Sequence, residues 1–433
     1  MNNILLDLSC NWKRIEPIDI EYQLVYIEDR FTKISPTNFE TTVTLAEHSV
    51  LPYGNYAYDY KNRSLYFASL TKNNNNSPSN PPYVSRMDQS FKGLGSYVYS
   101  ISLESLEAEE MLEIEGYRFW DLVFKKSPDG EKLFWLMVPD VKDKERKQYF
   151  AFLDIPTRKL SNIPFPEVCE STAEDIHFEP DYVMYTSSKR GIELVNFEGE
   201  IVHNLHIQGP FFGACFNPTK KIVAFCVSTG IGIWDVDSDT IEMLIPHGCS
   251  PVWSPDGEYL WFYALRNPSQ KSDSLTLPPD NSCLFLDESK GPNTLSPWVC
   301  VHHRTHVSFI DSAPALYRLT VKTRKYEKIF AVNDHADVNF ANAYLHQDVY
   351  QYGYDTYEAL FSPCGRYIVC PVLKWIGENP TNIEPRNGIF CFLDMSNQLM
   401  WTSPLNRMYV DEKNVWVPKV PNDSRPTNDI PVS

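Results

Sequence analysis

The segment Cys300-Val301-His302-His303-Arg304-Thr305-His306 concentrates the side chains best suited to hold a metal ion. Imidazoles take zinc, manganese or iron when three or four ligands converge. His302 and His306 stand four apart, a spacing that shares one face only on a helix. Nearby Pro297 and β-branched neighbours oppose a helix. On a strand, His302, Arg304 and His306 share a face. His302, His303 and His306 are therefore the metal candidates, set against a plainer reading as histidines of a polar surface loop.

Carboxylate pairs are the second source of chemistry, since two of them can act as general acid and base. Glu109-Glu110 lies in a charged run that suits a solvated face. Asp334 and Asp337, in Asp334-His335-Ala336-Asp337, stand in an expected loop, where Asp also favours plain turns by bonding its own backbone. The third source is an expected aromatic loop before the last clear hairpin, Tyr350-Gln351-Tyr352-Gly353-Tyr354-Asp355-Thr356-Tyr357. Tyrosines such as Tyr350, Tyr352 and Tyr354 offer large contact area at low entropic cost. Packing between propeller sheets is the plainer use of such tyrosines. Tyr350, Tyr352, Tyr354, Asp334 and Asp337 are the candidates for binding a partner or ligand. No cofactor is implied.

Charge narrows the partners. The 433 residues hold 39 Lys+Arg against 56 Asp+Glu, a net charge of −17. Nucleic-acid binding needs clustered cations to displace counterions from phosphates. The two basic runs, 142–147 and 322–325, are short and read as hairpin turns. An acidic field favours a basic protein partner and repels anionic membranes. The start of the chain lacks a basic leader region. The ten cysteines form no C-x-x-C pair, and several stand inside apolar runs, which suits reduced thiols in a cytoplasmic protein.

The elements that must position these groups repeat. Lys126-Ser127-Pro128-Asp129-Gly130, Trp253-Ser254-Pro255-Asp256-Gly257 and Phe361-Ser362-Pro363-Cys364-Gly365 are near-copies of one turn. Phe216-Asn217-Pro218-Thr219-Lys220 and Phe178-Glu179-Pro180-Asp181 are looser versions. Proline presets the first turn position, and Asp-Gly or Asn completes the reversal. Apolar runs flank each turn, so each unit reads as a β-hairpin. A second hairpin follows, most clearly in Gly230–Leu244. Two hairpins make a four-stranded antiparallel unit of about 40–45 residues, the size of a propeller blade.

These turns, with Gly232-Ile233-Trp234-Asp235-Val236-Asp237, resemble the β-propeller repeats of the WD40 and TolB-like families over 53–404. The Gly-His dipeptide frequent in WD40 repeats is missing, which favours the looser TolB-like pattern. The resemblance implies an all-β propeller and leaves its use open. Some propellers precede an α/β-hydrolase domain, but the required G-x-S-x-G elbow does not occur.

Six units are visible, starting near Tyr53, Tyr117, Ala173, Gly209, Gly248 and Tyr354. Strand signals also lie at Tyr22–Ile27, Thr42–Leu45, Arg407–Val410 and Asn414–Val417. Open sheet edges invite aggregation, so the preferred reading is a seventh blade closed by both termini; six blades is the alternative. One domain is expected over 1–420, with insertions at 71–95 and 267–312, and 421–433 as a flexible tail. The expected role is a non-catalytic protein–protein interaction module. The alternative is a small-ligand binder or metal-assisted enzyme at the channel mouth. Oligomeric state is left open.

Overall fold

The Ser-Pro turns at Ser254 and Ser362 each carry their own hydrogen-bond kit. In Ser254-Pro255-Asp256-Gly257 the Ser254 hydroxyl bonds Asp256, and the amides of Glu258 and Tyr259 donate to Asp256 and Ser254, both at 3.0 Å. Gly257 takes φ +70°, a left-handed conformation glycine adopts freely. The chain reverses here on bonds made within the turn and launches two strands. The protein was described from a computed structural model covering 5–27, 31–34, 41–44, 52–59, 62–69, 96–102, 108–114, 117–118, 125–126, 131–139, 149–164, 176–179, 182–187, 191–207, 211–227, 230–246, 248–265, 300–303, 306–310, 314–333, 351–357, 359–377, 387–405 and 415–419.

Within those residues the structure is all-β, and the strands fall into seven sheets. The first spans Pro52–Asp59 to Ala108–Ile114, the second Tyr117–Arg118 to Lys159–Pro164, and the third Ile176–Phe178 to Ile201–Leu205. The fourth spans Phe211–Phe216 to Thr240–Pro246. The fifth joins Cys249–Trp253, Tyr259–Leu265, Pro314–Thr320 and Lys325–Asn333, with Leu5–Leu8 added at its edge. The sixth is built on Tyr367–Gly377, Asn387–Asp394 and Leu399–Leu405. In the seventh, Tyr22–Ile27, Phe31–Ile34 and Thr41–Thr44 pair in order. Val415–Pro418 lies antiparallel on Tyr22–Val25, so the two ends of the chain share one sheet.

The core runs through the seams between successive sheets. Phe150 meets Tyr185 across the second and third, with ring centroids 5.5 Å apart. Tyr182 meets Phe216 across the third and fourth, and Trp261 meets Phe361 across the fifth and sixth. Trp416 stands edge-on to Phe392 across the sixth and seventh, at 5.8 Å. Trp135, Trp234, Trp261, Trp401 and Trp416 are among the largest fully buried side chains. Each such burial removes enough apolar area to contribute roughly 1.5–3 kcal/mol. That is where the chain's high aromatic content goes.

Neighbouring sheets are also tied along one edge. The Trp253 indole donates to the Cys215 carbonyl at 3.1 Å, and the Trp416 indole to the Leu360 carbonyl at 2.9 Å. His177 Nε2 lies 3.0 Å from the Ala214 carbonyl. The first strands of successive sheets thus stand side by side, and these three polar groups each meet a partner.

Candidate functional site

The sixth sheet departs most from the four-strand unit. Its Tyr367–Gly377 strand has 11 residues. The near half pairs with Leu360–Phe361, as Leu360 with Val369 and Phe361 with Ile368. The far half, Val372 to Gly377, pairs with Thr356 to Gln351. The tyrosine run expected as a loop is therefore a strand, Gln351–Tyr357, inside a sheet. Alternating aromatic and β-branched residues suit a pleated surface, and here that propensity prevails over the loop reading.

A hairpin extends this strand further. Cys300–His303 and His306–Ile310 pair with each other, and His306–Ile310 pairs with Tyr357–Gly353. The hairpin comes from the excursion between the second and third strands of the fifth sheet, yet it joins the sixth. It also approaches Cys249–Trp253, the first strand of the fifth. One continuous sheet thus runs from the Leu399–Leu405 edge to Cys300–His303.

The register settles how the candidate residues stand. His303 is opposite His306, and His302 is opposite Val307. His302 and His306 thus belong to two paired antiparallel strands and do not share the face of one strand. His306 is next to Tyr357, and Tyr354 lies between Phe309 and Lys374. Tyr352 is opposite Ile376. The structure thus brings the histidine segment and Tyr352 and Tyr354 into one sheet. Tyr350, Asp334 and Asp337 lie outside the described residues. Among the described residues no three His, Cys, Asp or Glu side chains are grouped to hold a metal, and no helix is long and apolar enough to cross a membrane.

A polar cluster at the Ser362-Pro363-Cys364-Gly365 turn was not anticipated from the sequence. Cys364 stands where the fifth-sheet turn has Asp256. Its sulfur lies 3.4 Å from the Ser362 hydroxyl, and the Tyr367 amide donates to Ser362 at 3.0 Å. Partial burial pushes the Cys364 thiol up. Donation from Ser362, the Arg366 amide and the Tyr22 hydroxyl outweighs this, leaving the thiol below its ordinary value of 9.0. Beside it Arg366 grips the buried carboxylate of Asp394 with two bonds, at 3.1 and 2.7 Å, and lies over the Tyr367 ring. Burial pushes the Tyr22 and Tyr367 hydroxyls up to about 12. The signal was present in the sequence, as the one Ser-Pro turn in which Cys replaces Asp.

The sequence matches no protein-family model, and no curated protein matches it. Among solved structures it is similar to TolB from Acinetobacter baumannii, at 12% identity and a TM-score of 0.38, over 72% of this chain and 63% of that one. It therefore spans less than two thirds of that TolB. An oligogalacturonate lyase in complex with manganese is similar at 12% identity and a TM-score of 0.44, over 89% and 85% of the two chains. A eukaryotic initiation factor is similar at 10% identity and a TM-score of 0.41, over 93% and 99%. The likeness is one of fold alone and does not extend to activity.

Proposed function

We propose that the chain is a β-propeller of seven blades, closed where Val415–Pro418 joins Tyr22–Ile27, and that it serves as a non-catalytic protein-interaction module. The sheet shared by the two ends and the succession of aromatic seams support closure. The observation that carries the interaction reading is the register of His306–Ile310 on Gly353–Tyr357. It extends the sixth sheet past its four-strand unit and brings the histidine segment, Tyr352 and Tyr354 into one sheet. Tyrosines are enriched where proteins recognise a macromolecule. The net charge of −17 favours a basic partner. The free thiols of Cys370 and Cys391 support a reducing, cytoplasmic setting.

The test is affinity capture with the full chain and with a variant whose residues 300–310 are replaced by a short Gly-Ser linker. The expected result is a protein captured by the first and not the second, released as salt rises. Capture of the same proteins by both would remove the hairpin from the reading. Capture of none at native salt would end the interaction reading altogether.

A second reading, a metal-assisted site at the channel mouth, rests on His303 standing opposite His306. Elemental analysis decides it: stoichiometric metal, with a melting temperature lowered by chelator, is its requirement.

A further inference from the structure

Residues 5–14 lie across the outer edges of two sheets before the chain enters the seventh. Leu5–Leu8 pairs antiparallel with Asn333–Phe330, and the Ser9 amide donates to the Ile329 carbonyl at 3.0 Å. Trp12 then enters the core between the fifth and sixth sheets, 5% exposed. Lys13 and Arg14 pair with Leu399 and Met400 in the one parallel pairing among the described residues. The Lys13 amide donates to the Gln398 carbonyl at 2.9 Å, and the Ile15 amide to the Met400 carbonyl at 2.8 Å.

This segment buries less apolar surface than the edges it covers. Its side-chain ties include two exposed bonds, Asn11 Nδ2 to Glu327 at 3.4 Å and Arg14 to Thr402 Oγ1 at 3.1 Å. Leu6 and Leu8 are only half-buried, Lys13 and Arg14 are exposed, and Trp12 alone is anchored deeply. Beneath it Ile329, Phe330 and Met400 are fully buried. Two buried polar atoms of the segment, Ser9 Oγ and Trp12 Nε1, have no partner among the described residues. Each such group subtracts from the hold of the contacts around it. Short elements with few buried contacts open locally, without global unfolding.

We propose that residues 5–14 form a releasable strap. With the strap off, the edges of Lys325–Asn333 and Leu399–Leu405 lie open and adjacent. Such edges accept an extended chain by strand addition. The seats left by Leu6 and Leu8 select a peptide with apolar residues at alternate positions, because successive side chains of a strand point to opposite faces. The strap is distant in sequence and sheet position from the His306 hairpin, so loss of one surface leaves the other testable.

Hydrogen exchange on the full chain is the first measurement. Strap amides should exchange at least about tenfold faster than those of 325–333 and 399–405; equal rates overturn the proposal. The second uses full-length Trp12→Ala and a fluorescent synthetic peptide of residues 4–16. Saturable binding is expected, at least about tenfold tighter than to the unaltered chain, whose strap competes. It should vanish for a peptide carrying Leu6→Asp and Leu8→Asp. No binding to a folded Trp12→Ala chain overturns the proposal. Should that variant unfold, the exchange rates of the unaltered chain decide alone.

Discussion

The side-chain amide of Asn217 donates to the Gly257 carbonyl at 2.9 Å, joining the reversing turns of two adjacent sheets. The Asn217 carbonyl meanwhile accepts from the Thr219 and Lys220 amides at 2.9 and 3.0 Å. One residue 2% exposed therefore shapes its own turn and fastens the next. Truncation leaves buried donors and acceptors unmet, so Asn217→Ala is expected to cost about 1–3 kcal/mol, read as a lower urea midpoint. Gly257→Ala should also destabilise. It combines φ +70° with a Cβ that would meet Thr219 Oγ1 at 2.4 Å and Asn217 Oδ1 at 2.5 Å. Gly365→Ala shares the strained φ, but its Cβ meets only Pro255 at 3.3 Å, so it should cost less.

Asp394 should be the most acid-sensitive anchor of the sixth sheet. It is fully buried and accepts from Arg366, from Asn397 Nδ2 at 2.9 Å and from the Ser396 amide at 3.0 Å. Burial pushes its carboxyl up, but these donors outweigh that and hold it below the ordinary 3.8. A lowered folded value means stability present above the unfolded value and lost as pH falls through the folded one. Asp394→Asn should flatten that acid limb. Arg366→Ala strands the buried carboxylate and is expected to cost about 3 kcal/mol, the low end for a buried pair because Arg366 is partly in water. Arg366→Lys should recover only part, since one ammonium cannot reproduce the two-point grip. Chemical denaturation at pH 7 and between pH 2 and 4 (about the acid limb) reads both effects.

How far such anchors can be read from sequence depends on how local their chemistry is. The Ser254-Pro255-Asp256-Gly257 turn is legible because its hydrogen bonds close within six residues. Asp154, Asp235 and Asp394 each cap a later turn by accepting an amide two or three residues on, a local pattern of the same kind. Tyr22–Ile27 was legible as a strand, and the need to cover edges suggested its union with the C-terminal end. Its register with Val415–Pro418 was not legible. The strap and the His306 hairpin were hidden for the same reason. Backbone pairing between distant segments uses groups every residue carries, so no local residue code announces it.

The Cys364 thiol should react before the buried thiols. Its depressed value enriches the nucleophilic thiolate, and it is exposed, whereas burial pushes Cys370 up to about 12. Timed alkylation of the native chain followed by peptide mapping should show Cys364 modified well ahead of Cys370 and Cys391. Cys364→Asp should keep stability, because aspartate fills the same acceptor role in the Asp256 turn. Cys364→Ala should lose about 1 kcal/mol. Equal losses for the two variants would show that the sulfur is not acting as an acceptor.

Glu179 gives stability a slope of the opposite sign. Burial raises its carboxyl from 4.5 to about 7. Between those values the folded chain holds a proton that the unfolded chain has released, so this contribution is full below pH 4.5 and is lost as pH rises to about 7. Glu179→Gln stays neutral throughout. Melting temperatures of the two chains should converge at the acid end of this window, with the variant increasingly the more stable toward pH 7. Parallel curves across the window would place Glu179 in water.

Tyr263 should be one of the few buried aromatic residues whose polar atom is better removed. Its ring is almost wholly buried in the seam between the fifth and sixth sheets. No oxygen or nitrogen among the described residues accepts from its hydroxyl. Its polar neighbours are the thiols of Cys370, Cys391 and Cys249, which are weak acceptors. Cys370 and Cys391 stand opposite each other in the sixth sheet, and burial keeps both protonated. The hydroxyl therefore lost water on folding and gained little in return. Tyr263→Phe keeps the ring and deletes only that atom, so stability should be unchanged or rise by up to about 1 kcal/mol. Tyr263→Ala opens a cavity and should cost about 3–5 kcal/mol, as for other large buried aromatics. Urea midpoints of the three chains separate ring from hydroxyl. A loss above about 1 kcal/mol for Tyr263→Phe would mean that the thiols bind the hydroxyl strongly, and that the seam is held by polar as well as apolar contact.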